Sequence, residues 1–150
     1  MKPRLLAEPL HQLAHAYQSH MRRALPAAGI EWPITHVRTL KGIALTPNCT
    51  AQSLAVYMRS DKAQVTRVLN ELLGAGLIVK HDNPEDGRSR LLELSSSGQT
   101  LMLQTRALEA EVARSMTDGL STAEVDTFIL TARQITDNLN RQQEAPERAP

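Results

Sequence analysis

Apolar residues recur at spacings of three and four from Leu10 through Leu13, Ala14, Tyr17 and Met21 to Leu25, the period of one helix face. The pattern predicts a long first helix, with Pro9 suited to its first position and an end near Pro26 to Gly29. Ile34, Val37, Leu40 and Ile43 continue it as a short second helix, which Thr46-Pro47-Asn48 stops with turn-forming residues. Thr50 is placed to cap a third helix bearing Leu54, Ala55 and Met58. Asp61 is placed to cap a fourth bearing Val65, Val68, Leu69 and Leu72, with Gln64 at the capping-box spacing. These two helices meet across Arg59-Ser60, and the fourth ends at Gly74-Ala75-Gly76, where glycine can take a left-handed conformation.

Two apolar runs, Leu77 to His81 and Arg90 to Leu94, then flank Asp82 to Ser89, a stretch dense in turn formers. They predict a β-hairpin with a long polar tip. Ser95 opens a helix with Leu101, Leu108, Val112 and Met116. Ser121-Thr122-Ala123-Glu124 is a full capping box ahead of Val125, Phe128, Ile129, Ala132, Ile135 and Leu139. The segment from Gln142 has charges and prolines but no large apolar residue, which predicts a disordered tail over 145–150.

Length and composition narrow the class. With 150 residues and 41% hydrophobic side chains, one domain with a sizeable core is expected, over residues 1–144. The formal net charge is only +1, and residues 46–94 carry six basic side chains against six acids, so any nucleic-acid footprint must come from placement. A single cysteine, Cys49, excludes an internal disulfide and fits a reducing, cytoplasmic setting. No stretch reaches 18 consecutive apolar residues, and the first twenty lack a signal-peptide core, so no membrane association is expected.

On the fourth helix the apolar stripe leaves Lys62, Ala63, Gln64, Thr66 and Arg67 outward near its start. A helix entering a major groove presents polar donors there while its opposite face packs on the domain. The plainer reading is an ordinary solvated face. In the hairpin, Arg88 follows Asp86-Gly87, where a turn would project a cation beyond the domain. The alternative there is an internal ion pair of Asp86 with Arg88.

Five motifs in order resemble the multiple antibiotic resistance regulator (MarR) family: Ser53-Leu54-Ala55; Asp61 through Leu72; Gly76-Leu77-Ile78; Pro84-Glu85-Asp86-Gly87-Arg88; and Leu94-Ser95-Ser96-Ser97-Gly98. The resemblance runs from about Thr50 to Gly98. It implies a mainly α (α+β) winged helix-turn-helix, with a lobe at about 45–98, a two-stranded hairpin wing and dimerisation helices at 5–28 and 95–144. It also implies a DNA-binding transcriptional regulator, a ligand-responsive repressor acting as a homodimer on a pseudo-palindromic operator in double-stranded DNA. In that setting Arg88 enters a minor groove, Asp86 orients its guanidinium, and Arg90 lies near a phosphate. Three positions depart from the family pattern. Gly87 stands where a second arginine is common, Arg59 where glycine is usual, and Ser60 where an apolar residue is usual. A winged-helix protein-interaction module without DNA binding is the alternative.

The family also implies a crevice for small aromatic acids, for which Trp32, His36 and Arg38 are the candidate ligand-binding residues, against the plainer reading of Trp32 as core filling. His11 and His15 have a zinc-compatible spacing but no supporting cysteine or carboxylate set, and read as packing or solvated residues. Cys49 lacks local cations and a partner thiol, which argues against redox sensing. No nucleophile–base–orienter set, paired carboxylates or phosphate loop is evident, so neither an enzyme nor a cofactor is expected.

Overall fold

The computed structural model describes residues 4–144; the tail expected over 145–150 lies outside the described residues. The helices α1 (Ala7–Ala27), α2 (Ile34–Leu45), α3 (Ala51–Met58) and α4 (Lys62–Gly74) come first. Strands β1 (Ile78–Asp82) and β2 (Arg90–Leu94) follow, then α5 (Ser96–Met116) and α6 (Thr122–Glu144). The chain divides into two compact units with the break between Glu109 and Ala110, within α5.

The first unit is a winged helix-turn-helix. Its core draws Met21 and Leu25 from α1, Val37, Leu40 and Ile43 from α2, Leu54 from α3, and Val65, Val68, Leu69 and Leu72 from α4. Ile78 and Leu92 close it from the hairpin, and Leu101 and Met102 from α5. All four residues of the α4 stripe expected to be buried are buried, which fixes the rotation of that helix. The close approach of α2 to α3 depends on Gly42, where a Cβ would lie 2.8 Å from the Tyr57 ring.

Local chemistry sets the helix ends. Thr50 Oγ1 accepts from the Ser53 amide at 3.1 Å while Ser53 Oγ accepts from the Thr50 amide at 2.8 Å, a reciprocal capping box. Asp61 accepts from the Gln64 amide at 2.8 Å, but the return bond from the Gln64 side chain is not among those formed, so this cap is one-sided. Arg59, between the two helices, sits in the left-handed region at φ 47° and ψ 43°.

Three boundaries differ from the sequence expectation. α1 begins at Ala7, so Pro9 occupies its third position; no amide of the first turn has a partner within the helix, and proline costs nothing there. Leu77 lies in the turn that closes α4 and not in β1, because Gly76 turns left-handed at φ 72° and the Leu77 amide bonds back to the Leu72 carbonyl at 3.0 Å. Gln142 to Glu144 extend α6 instead of opening a tail.

The wing is antiparallel, with Ile78 opposite Leu94 and Asp82 opposite Arg90. Its free edge is tied to the chain before α3 by the Leu92 amide, which donates to the Cys49 carbonyl at 2.7 Å. In the second unit, Ser121 and Glu124 form the expected box at the start of α6, yet no residue of α6 is buried. No helix of the described residues is long and apolar enough to cross a membrane.

Candidate nucleic-acid interface

Lys62, Ala63, Gln64, Thr66 and Arg67 are all exposed along the first two turns of α4, as the stripe requires. Beside them a groove of about 490 Å³ opens between the start of α3, the flank of α4 and the wing. Lys62, Thr66, Asp86, Arg88 and Arg90 all line it. Ala63, Gln64 and Arg67 are exposed but do not line it. The groove also takes in Gln52, Asn70 and Lys80, which sequence reasoning missed. Lys80 stands two residues after the buried Ile78 and so shares its face of β1; nothing local marks Gln52.

The lining carries four cations, Lys62, Lys80, Arg88 and Arg90, against the single acid Asp86. A lobe that is neutral in sum is therefore basic where its helix and wing converge, and neighbouring phosphates would feel that local field. Thr66 Oγ1 donates to the Lys62 carbonyl at 2.8 Å, which leaves its hydroxyl as an acceptor toward the groove.

The wing tip is ordered by its own polar groups. Asn83 Nδ2 donates to Ser89 Oγ at 2.9 Å across the mouth of the loop, and the Glu85 amide donates to Asn83 Oδ1 at 3.1 Å. Asp86 Oδ1 accepts from the backbone amide of Arg88 at 2.9 Å. Neither the orientation of the Arg88 guanidinium by Asp86 nor an Asp86–Arg88 ion pair is among the bonds formed. Asp86 instead fixes the backbone from which Arg88 projects, as an Asx turn does. Arg90 is held differently: its Nε donates to the His81 carbonyl at 3.3 Å and lies 3.6 Å from the carboxylate of Asp82, its partner across the strands.

Farther along α4, Arg67 Nη1 donates to Glu71 Oε1 at 3.0 Å, and the other Glu71 oxygen lies 2.5 Å from Nε2 of His36 on α2. The His36 hydrogen bond, with the charges of His36 and Arg67, holds the Glu71 carboxyl below its usual range. The four-residue spacing of Arg67 and Glu71 is visible in sequence; His36, thirty-five residues away, is not.

The candidates for an aromatic-acid site separate. Trp32 lines a cleft of about 640 Å³ with Gln18, Arg22, Leu25 and Ile30. The His36 ring lies 5.5 Å from the Trp32 ring, but His36 is buried and does not line the cleft. Arg38 does not line it either: two residues along a helix is about half a turn, so a buried His36 turns Arg38 to solvent. The guanidinium at the cleft belongs to Arg22.

Cys49 is buried, and burial pushes its thiol up against a weaker lowering by the Ser53 hydroxyl, which disfavours the reactive thiolate. His11 and His15 are exposed, and among the described residues no group of three His, Cys, Asp or Glu is placed to hold a metal.

Comparison with known proteins places this arrangement. The sequence model of the MarR family matches residues 32–89, the span that holds α2, the helix-turn-helix and most of the wing. A protein of Thauera aromatica, named for transcriptional regulation of the hcr operon, is 29% identical over 135 residues, which is 83% of this chain and 81% of its own. A crystal structure of mutant MarR from Escherichia coli complexed with operator DNA matches with a TM-score of 0.71 and 23% identity, covering 89% of this chain and 99% of its own. The PcaV transcriptional regulator of Streptomyces coelicolor, solved with its natural ligand, matches with a TM-score of 0.72 and 21% identity, covering 91% of this chain and 98% of its own. At these identities the two structures establish a shared fold.

Proposed function

Since this chain carries the MarR-family winged helix-turn-helix, with the fold of the transcriptional regulators in that family, we propose that it binds double-stranded DNA sequence-specifically as a homodimer. The observation that carries the reading is the basic groove in which Lys62 and Thr66 of α4 meet Lys80, Arg88 and Arg90 of the wing. α4 supplies a helix narrow enough for a major groove with its polar face outward, and a cation on the wing tip, Arg88, would suit an adjacent minor groove. Each copy supplies one such unit, so a dimer reads two half-sites of a pseudo-palindromic operator about one helical turn apart. Repression follows where that operator overlaps a promoter.

The dimer is supported by apolar side chains left open at both ends of the chain. Leu10 and Leu13 of α1 and Phe128, Ile129, Leu130 and Leu139 of α6 are all exposed, and a second copy would cover them. The effector belongs to the same proposal: a small aromatic acid, stacked near Trp32 with its carboxylate toward Arg22, suits the cleft's size and mix of groups. It would release DNA to the extent that it favours a dimer geometry with unsuitable half-site spacing.

The test is a gel shift of the full chain with its own upstream DNA, against scrambled duplex at fixed salt. The expected result is operator preference that Arg67→Ala weakens by about 1–3 kcal/mol per half-site. Equal affinity for both duplexes, unchanged in the variant, would leave the protein-interaction module in its place.

A further inference from the structure

An Arg and a Glu four residues apart on an exposed helix ordinarily form a weak surface pair, because both side chains must be frozen to make it. The pair of Arg67 and Glu71 differs in one respect. Glu71 spends only Oε1 on Arg67; Oε2 is held at 2.5 Å by Nε2 of His36. The His36 side chain is 6% exposed, locked in the core between α2 and α4, and the Trp32 ring packs beside it. The carboxylate is therefore fixed from the interior of the lobe, and its ordering entropy is already spent before Arg67 arrives.

On the proposed reading, Arg67 stands on the polar face of the groove-entering helix. A flexible guanidinium would find phosphates as readily as base edges. One held on a fixed carboxylate keeps its remaining N–H donors in a constant direction, and a planar donor fork converts direction into base choice.

We propose that Glu71, anchored by His36, is a positioning residue that aims Arg67 at the DNA bases and so sets sequence preference rather than overall affinity. The inference rests on the reading of α4 as a DNA-binding helix. Neither residue need touch DNA: Glu71 acts through Arg67, and His36 acts through Glu71. The acid also repels phosphates, so removing it should leave non-specific binding unchanged or slightly stronger.

The experiment is a double-mutant cycle on the full-length protein, using a duplex enriched from a random-sequence pool by the wild type and a scrambled duplex of equal composition, at one salt concentration. Glu71→Ala is expected to reduce the preference for the enriched duplex about tenfold, with affinity for scrambled duplex equal or higher. In an Arg67→Ala background the same change should alter preference less than about twofold. His36→Phe, which keeps a ring beside Trp32 but removes the nitrogen, should lower preference in the same direction and have no further effect once Glu71 is alanine. Equal losses on both duplexes, equal losses in both Arg67 backgrounds, or a gain in preference on Glu71→Ala would overturn the proposal. Should His36→Phe fail to fold, the Arg67–Glu71 cycle decides alone. If the pool yields no preferred duplex for the wild type, the DNA-binding reading falls, and this inference with it.

Discussion

Gly98 lies directly over the backbone carbonyl of Leu77: a Cβ on Gly98 would stand 2.0 Å from that oxygen. The contact is backbone to backbone, so no side chain can swing aside. Ser95 reinforces it, since its hydroxyl donates to the Gly76 carbonyl and accepts from the Gly98 amide at 3.1 Å, stitching the start of α5 to the end of α4. Gly98→Ala is therefore expected to destabilise by about 3 kcal/mol, lowering the thermal midpoint by roughly 6–12 °C. A midpoint within about 2 °C of wild type would show that the joint between α4 and α5 is looser than this geometry implies.

Arg59 presents the opposite case. Its left-handed backbone costs an L-residue about 1–2 kcal/mol, and its side chain makes no hydrogen bond or ion pair among the described residues. Glycine would relieve that cost but gain about 0.4–1 kcal/mol of unfolded-state freedom. Arg59→Gly should be stabilising by about 0.5–1 kcal/mol, read from urea unfolding with an unchanged slope. A destabilised variant would mean that the Arg59 side chain contributes contacts that outweigh its backbone.

Two carboxyls carry depressed pKa values in the folded chain: Glu71 through the His36 hydrogen bond, and Glu124 through the backbone and side-chain bonds of Ser121 in its capping box. A group whose folded pKa lies below its unfolded value, near 4.5 here, binds protons more readily when unfolded. Its stabilisation is present above that value and is lost as pH falls through the folded pKa. Thermal midpoints should accordingly drop on acidification below about pH 5, and Glu71→Gln and Glu124→Gln should each flatten that limb. Variants that keep the full wild-type slope would assign acid loss to other groups.

The exposed apolar positions of α6 make the oligomeric state a sharp expectation. Sedimentation should find a dimer at micromolar concentration, and Phe128→Glu together with Ile129→Glu should shift it toward monomer. A stable wild-type monomer at that concentration would remove the basis for two-half-site binding.

What the sequence made legible follows from range. Caps at Thr50, Asp61, Ser95 and Ser121 join residues three apart, and the α4 stripe repeats every turn, so both are written locally and both stand in the fold. The Gly98 position was marked only by resemblance; the Leu77 carbonyl that requires it is twenty-one residues away. His36 bonds to Glu71, thirty-five residues away, since helix phase turns it toward α4. Arg38 is near Trp32 only along the chain, while Arg22 on another helix lines the cleft. Contacts between elements depend on crossing geometry, which no local spacing records.

Gly87 offers a gain-of-function test of the wing. Its φ does not lie in the left-handed region, and a Cβ there would meet nothing within 4 Å, so the backbone does not demand glycine. The neighbouring cation, Arg88, projects from a backbone fixed by Asp86 and closed by the bond of Asn83 to Ser89. Gly87→Arg should therefore fold with a stability change within about 0.5 kcal/mol and add a second cation to the same tip. If the tip meets DNA, the variant should bind more tightly at low salt, and the slope of log affinity against log salt should steepen by up to about one unit, the yield of one further phosphate contact. Arg88→Ala should act in reverse, weakening specific and scrambled duplex together or shifting only the A·T preference beside the core site, because minor-groove readout is degenerate. Both variants should keep the wild-type thermal midpoint, which separates a loss of contact from a loss of fold. Unchanged affinity and salt slope in both would place the wing away from DNA and leave α4 as the sole element to which binding could be assigned.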